Sequence, residues 1–113
     1  MHELPVTQSI VSIASEEANK NNVKVVKEIR IKVGRLTGLM PSCIQYYFDI
    51  ISKGTVVEGA ILDIEKLPIR IRCGSCGKES VIDMNSYSCS FCSSNDIKII
   101  GGNEFYIESL EVE

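Results

Sequence analysis

The sequence has one histidine, and it is residue 2. It lacks any apolar run close to the roughly 20 residues of a membrane-spanning helix. The greasiest stretch, Ile44 to Ile51, is broken by Gln45 and Asp49. The start, Met-His-Glu, has no basic region, and Thr7, Gln8, Ser9 and Ser12 deny it a continuous apolar segment, so it does not read as a signal peptide. An excess of positive charge is missing too: 12 Lys and Arg stand against 15 Asp and Glu, a net charge of −3. A nonspecific nucleic-acid coat needs many cations to displace counterions, so that class is disfavoured. With 113 residues the chain is too short for a Rossmann or barrel enzyme. What remains is ordinary for a small globular protein: 44% apolar and 24% charged residues. The expected setting is the cytoplasm, with no membrane partner.

Apolar residues at Val6, Ile10, Ile13 and Ala14 recur at helical spacing after Pro5, which predicts a helix over about 5–20. Ile29, Ile31 and Val33 alternate with Arg30 and Lys32 in a half-buried strand within Val25 to Leu36. Gly34, Gly38 and Pro41 punctuate the turn after it. A second helix is expected over about 42–53, with Ile44, Tyr47, Phe48 and Ile51 as its stripe and Gly54 at C′. Strand patterns return at Ala60–Glu65, at Ile69–Arg72 and from Glu104 to Val112. The implied class is α+β: two helices on a three-stranded sheet, with an inserted zinc-ribbon-like four-cysteine domain. The expected division is 1–68 plus 102–113 for the main domain and 69–101 for the insertion.

Four of the five cysteines form two tight pairs, Cys73-Gly-Ser-Cys76 and Cys89-Ser-Phe-Cys92. In a reducing cytosol such pairs bind metal or do redox work. A C-x2-C turn aims two sulfurs at one point, and two turns supply the tetrahedron of thiolates that suits Zn(II). Four protein ligands leave no open position for water, so the zinc is structural. The twelve residues between the pairs, 77 to 88, are expected to form a hairpin of Glu79–Met84 with Tyr87–Cys89. A thioredoxin-like dithiol needs a helix after its motif, and no helical pattern follows Cys76. A zinc deaminase needs His-x-Glu and Pro-Cys-x-x-Cys, but Ser88 precedes Cys89. Cys43, the odd cysteine, reads as a small buried apolar residue.

His2 acquires meaning beside a free α-amine on Met1. The amine titrates near 8, roughly two units below lysine. With the imidazole and one or two deprotonated backbone amides it can wrap one ion in a planar nitrogen set that favours Ni(II) or Cu(II). Glu3 adds its amide or a nearby carboxylate.

The chain resembles the HypA/HybF family of nickel metallochaperones. The resemblance runs through Met1-His2-Glu3, Val33-Gly34-Arg35-Leu36, Gly54-Thr55, both cysteine pairs and Gly102-Asn103-Glu104. It implies Ni(II) at Met1, His2 and Glu3, structural Zn(II) at Cys73, Cys76, Cys89 and Cys92, and no enzymatic activity. It also implies delivery to the hydrogenase large subunit with the GTPase HypB, and in some organisms service to urease. Helix 1 and the strand around Arg30 and Lys32 are, on this resemblance, surfaces for the GTPase. Two departures stand out: Ser93 follows the last cysteine where many zinc knuckles carry Gly, and Pro5 stiffens the terminus. The rivals are a zinc-ribbon adaptor for nucleic acid or RNA polymerase, weakly supported by one Lys between Cys73 and Cys92, and a thiol redox sensor. Monomer, homodimer and domain-swapped states are all compatible with the sequence.

Overall fold

The computed structural model describes residues 3–113. The element order is α1 (Glu3–Lys20), β1 (Val26–Gly34), a 3-10 turn (Arg35–Thr37), α2 (Pro41–Ile51), β2 (Ile61–Leu67), β3 (Ile69–Cys73), β4 (Glu79–Ile82), β5 (Ile97–Gly101) and β6 (Phe105–Val112). The strands make two three-stranded sheets, ordered β2-β1-β6 and β4-β3-β5. The α+β class expected from the patterning therefore stands. Among the described residues no helix is long and apolar enough to cross a membrane.

The chain divides into two compact units. The first takes in residues up to Lys32, Leu39–Glu65 and Tyr106–Glu113. Here α1 packs on α2. The buried stripe of α1 is Val6, Thr7, Ile10, Ala14 and Ala18, which follows steps of four residues. Ile13, expected on that stripe, lies one position off it and is 52% exposed. Thr7 is fully buried at no polar cost, because its hydroxyl donates to the Glu3 carbonyl at 2.7 Å. Pro41 does more than punctuate a turn: it opens α2, where its missing N–H has no intrahelical partner to lose. Ile44 and Phe48 anchor that helix, and Ile29 and Ile31 supply the core face of β1. The helix closes at Ser52, so Gly54, with φ +79°, stands two residues beyond the cap instead of at C′.

On its other face β1 carries Arg30 and Lys32. Lys32 Nζ reaches Glu65 on β2 at 2.9 Å and Glu108 on β6 at 3.5 Å. Arg30 pairs with Glu28 and Glu111 and donates to the Ser109 hydroxyl. Both cations are thus engaged within the sheet.

The second unit comprises Val33–Gly38 and Lys66–Phe105. It takes in Val33–Gly38 along with the cysteine stretch for a physical reason. Gly34 N–H donates to the Glu104 carbonyl at 2.7 Å and Leu36 N–H to the Gly102 carbonyl at 2.8 Å. Leu36 then packs on the Ile69, Ile71 and Ile82 cluster, beside Ile97. A Cβ on Gly34 would stand 2.0 Å from the Gly102 oxygen, so the close approach admits only glycine. Gly102 itself has φ +119°, and a Cβ there would stand 3.2 Å from Ile69 and from Leu36.

The hairpin expected between Glu79–Met84 and Tyr87–Cys89 does not form. Instead β4 pairs antiparallel with β3, Ile69 opposite Ile82 and Arg72 opposite Glu79. On the other side β5 pairs with β3, from Arg70 opposite Gly101 to Cys73 opposite Ile97. The alternation of Ile69 and Ile71 with Arg70 and Arg72 needs a central strand to bury one whole face, and β3 fills that place.

Candidate metal centre

Cys73 ends β3, Cys76 closes the turn behind it, and Cys89 and Cys92 lie in the irregular stretch before β5. The four sulfurs all lie within 4.8 Å of one another. The cross-knuckle separations are 3.6 Å for Cys73–Cys92 and 3.7 Å for Cys76–Cys89. A tetrahedron with Zn–S bonds of about 2.3 Å has sulfur–sulfur edges of about 3.8 Å, so the spacing fits a zinc ion. Cys73 and Cys89 are buried while Cys76 and Cys92 are exposed, so each knuckle presents one inner and one outer thiol.

The two knuckles repeat each other. Gly77 N–H donates to the Cys73 carbonyl at 3.0 Å, and Ser93 N–H to the Cys89 carbonyl at 2.9 Å. Cys73 N–H reaches the Lys78 carbonyl and Cys89 N–H the Ser94 carbonyl, five residues on in both cases. Amides also point at the inner sulfurs: Ser75 and Cys76 at Cys73, and Phe91 at Cys89. The turns close with φ +75° at Gly77 and +63° at Ser93. Ser93, noted in the sequence for standing where glycine is usual, therefore adopts the glycine conformation.

These amides tune the thiols. The Cys76 amide, helped by that of Ser75, brings Cys73 down to about 6 against the opposing effect of burial. The Cys92 and Phe91 amides lower Cys89 in the same way. At Cys92 the Ser94 amide pulls downward, yet the neighbouring Cys73 sulfur, burial and the other thiols outweigh it and push the group up to about 12. Cys73 is thus prepared as a thiolate, the form that binds metal, and the amides push Cys89 in the same direction.

Several supports were not legible in the sequence. The Ser75 and Ser94 hydroxyls bond across the knuckles at 2.9 Å. Gly74 N–H donates to the Asp96 carbonyl at 2.7 Å, and a Cβ on Gly74 would meet the Asp96 carboxylate at 2.3 Å. Lys78 Nζ lies 4.9 Å above the Phe91 ring. Each links residues distant in sequence through loops without periodicity, so no pattern announces it. Behind Cys76 the chain runs into β4, not into the helix a thioredoxin-like dithiol requires.

Of the residues expected to hold nickel, Met1 and His2 lie outside the described residues. Glu3 is half-buried at the start of α1, and its carboxylate accepts the Met40 N–H at 3.1 Å. That places a negative group at the N-terminus of α2, where the helix dipole favours it. Cys43, in the first turn of α2, is half-buried rather than buried.

Fold and site together define a small α+β protein with a four-cysteine metal centre carried on its own three-stranded sheet. A sequence model described as hydrogenase/urease nickel incorporation, metallochaperone, hypA matches residues 1–112. The chain belongs to this HypA family. It is 39% identical over 113 residues to the hydrogenase maturation factor HypA of Trichodesmium erythraeum, covering 100% of this chain and 96% of that one. It is 40% identical over 114 positions to the protein of the same name from Caldanaerobacter subterraneus subsp. tengcongensis, covering 100% of both. In three dimensions it resembles the solution structure of the Ni metallochaperone HypA from Helicobacter pylori. There the TM-score is 0.69 at 27% identity, covering 99% of this chain and 97% of that one.

Proposed function

We propose that this chain is a nickel carrier for hydrogenase maturation, holding Ni(II) as cargo at Met1, His2 and Glu3 and Zn(II) as a structural ion at Cys73, Cys76, Cys89 and Cys92. The observation that carries the reading is the family match, which begins at residue 1 and so includes Met-His-Glu, on a chain whose four cysteine sulfurs converge. The α-amine, amide nitrogens and imidazole supply a planar nitrogen set suited to Ni(II). The Glu3 carboxylate accepts the Met40 N–H, which holds this one residue at the start of α2. A set of ligands at a chain terminus exchanges readily with a partner, which suits delivery better than catalysis, and we read the protein as a cytoplasmic carrier without enzymatic activity.

The partners we propose are the GTPase HypB and the hydrogenase large subunit, with urease as a second client. A homodimer is compatible with this scheme, and neither nucleic acid nor membrane enters it. The functional division we propose runs 1–68 with 102–113 for nickel and 69–101 for zinc.

The test is a nickel titration of protein with an authentic Met1 terminus beside His2→Ala. The substitution removes one nitrogen and its chelate ring, and it should abolish specific Ni(II) binding while one zinc per chain and the melting temperature are retained. Nickel bound as tightly by His2→Ala as by the parent at neutral pH would end the assignment.

A further inference from the structure

The four cysteines of the metal centre are not equivalent. Cys73 and Cys89 are 1% and 2% exposed, while Cys76 and Cys92 lie open to solvent. The buried sulfurs also carry backbone donors, the Ser75 and Cys76 amides on Cys73 and the Phe91 amide on Cys89. An oxidant dissolved in water therefore meets the outer pair first, because thiol oxidation follows exposure as well as thiolate character.

The close sulfur pairs run across the knuckles. Exposed Cys92 has its sulfur 3.6 Å from buried Cys73, and exposed Cys76 has its sulfur 3.7 Å from buried Cys89. Each outer thiol thus has an inner one beside it, the arrangement of an attacked cysteine and a resolving cysteine. A disulfide bond needs about 2.05 Å, a short closure for sulfurs already in contact. The Ser75 and Ser94 hydroxyls, bonded at 2.9 Å, tie the two knuckles together without help from a metal.

We propose that the cysteine centre is also a peroxide-reactive site, in which Cys76 and Cys92 are oxidised first and are resolved by Cys89 and Cys73, so that two disulfides across the knuckles replace the zinc-binding thiolates. The proposal rests on the reading of a structural zinc ion at these residues. In each half the outer thiolate attacks one oxygen of a hydroperoxide. The O–O bond breaks, and the departing oxygen takes up a proton and leaves as water or an alcohol. The sulfur is left as a sulfenic acid. The inner thiolate then attacks it, the S–S bond forms, the S–O bond breaks, and the hydroxide that leaves is protonated to water. Two thiolates lose two electrons, and one peroxide gains them. The first disulfide removes two of the four ligands, which is enough to release the ion. A thiol reductant reverses the change by exchange.

The test treats the zinc-loaded full chain with hydrogen peroxide, follows free zinc with a chromogenic chelator and maps the cysteines by mass spectrometry. Complete loss of the zinc is expected, with Cys73–Cys92 and Cys76–Cys89 disulfides. Dimedone, which traps sulfenic acids, should label Cys76 and Cys92, and dithiothreitol should restore all four thiols. Cys43→Ser, outside the cluster, should change none of this. Disulfides within the knuckles, a disulfide through Cys43, dimedone on Cys73 or Cys89, sulfinic acids in place of disulfides, or zinc retained under peroxide would overturn the proposal alone. A chain that binds no zinc before oxidation would overturn the zinc reading and the proposal with it.

Discussion

Ser93 shows how one side chain can work against the site it serves. Its φ of +63° costs a residue with a Cβ about 1–2 kcal/mol, and glycine avoids that at a smaller entropic cost of about 0.5–1 kcal/mol. Its counterpart in the first knuckle, Gly77, already has no Cβ. Ser93→Gly should stabilise the zinc-loaded protein by roughly 0.5–1 kcal/mol, read from chemical unfolding with zinc present. A lower stability would mean that the serine hydroxyl contributes more than its backbone strain costs. Gly34 makes the opposite case. Its φ is −70°, which any residue adopts, so the constraint is space: Gly34→Ala drives a methyl into the Gly102 carbonyl. The expected loss is about 3 kcal/mol. Gly38→Ala, at φ +71° with open space around it, should lose only about 1 kcal/mol. Equal losses in the two variants would show that the clamp yields.

At the scale of elements, β3, β4 and β5 bury little beyond Ile69, Ile71, Ile82 and the two inner cysteines. So small a core needs a metal, whose apparent contribution in such sites is on the order of 10–16 kcal/mol at neutral pH. Chelating the zinc, or Cys73→Ala, should therefore remove amide protection over residues 79–101 while α1 and α2 keep theirs, as hydrogen exchange would report. Protection unchanged over 79–101 would contradict a structural ion. The thiols also predict how zinc enters. With Cys73 brought down to about 6, this thiol is largely ionised at pH 7 before metal arrives, while Cys92 at about 12 is not. Zinc binding at pH 7 should release fewer than four protons per ion, measurable by calorimetry in buffers of different ionisation enthalpy. Where the metal-free knuckles are formed, the lowered Cys73 adds stability that is present above the unfolded thiol value, near 8.5, and lost as pH falls through about 6, whereas the raised Cys92 adds stability that is present below that value and lost as pH rises toward about 12.

Across the whole molecule the charge of −3 is unevenly shared. The second unit holds six basic residues against four acidic ones, leaving six basic and eleven acidic in the first. The basic side chains of β3, Arg70 and Arg72, face outward, and Glu79 already engages Arg72 at 2.9 Å. This is too little positive charge for a phosphate track. Binding to duplex DNA should be no tighter than about 10⁻⁴ M at physiological salt. A nanomolar, salt-sensitive band shift would favour an adaptor over a carrier.

The local chemistry was legible in the sequence because it depends on spacing. Two C-x2-C turns aim sulfurs inward whatever surrounds them, and the alternation of Ile69 and Ile71 with Arg70 and Arg72 marks a strand with one buried face. The helices declared themselves by period, although Ile13 misled because apolarity alone does not say which flank of a stripe is covered. Partnership was another matter. That β4 would pair with β3 and not with Tyr87–Cys89, that Lys32 would be shared by Glu65 and Glu108, and that Gly34 would close on Gly102 all depend on segments distant in the chain. A strand pattern fixes which face is apolar but leaves its neighbour open, and only the packed structure, where every edge competes for the same backbone hydrogen bonds, decides it.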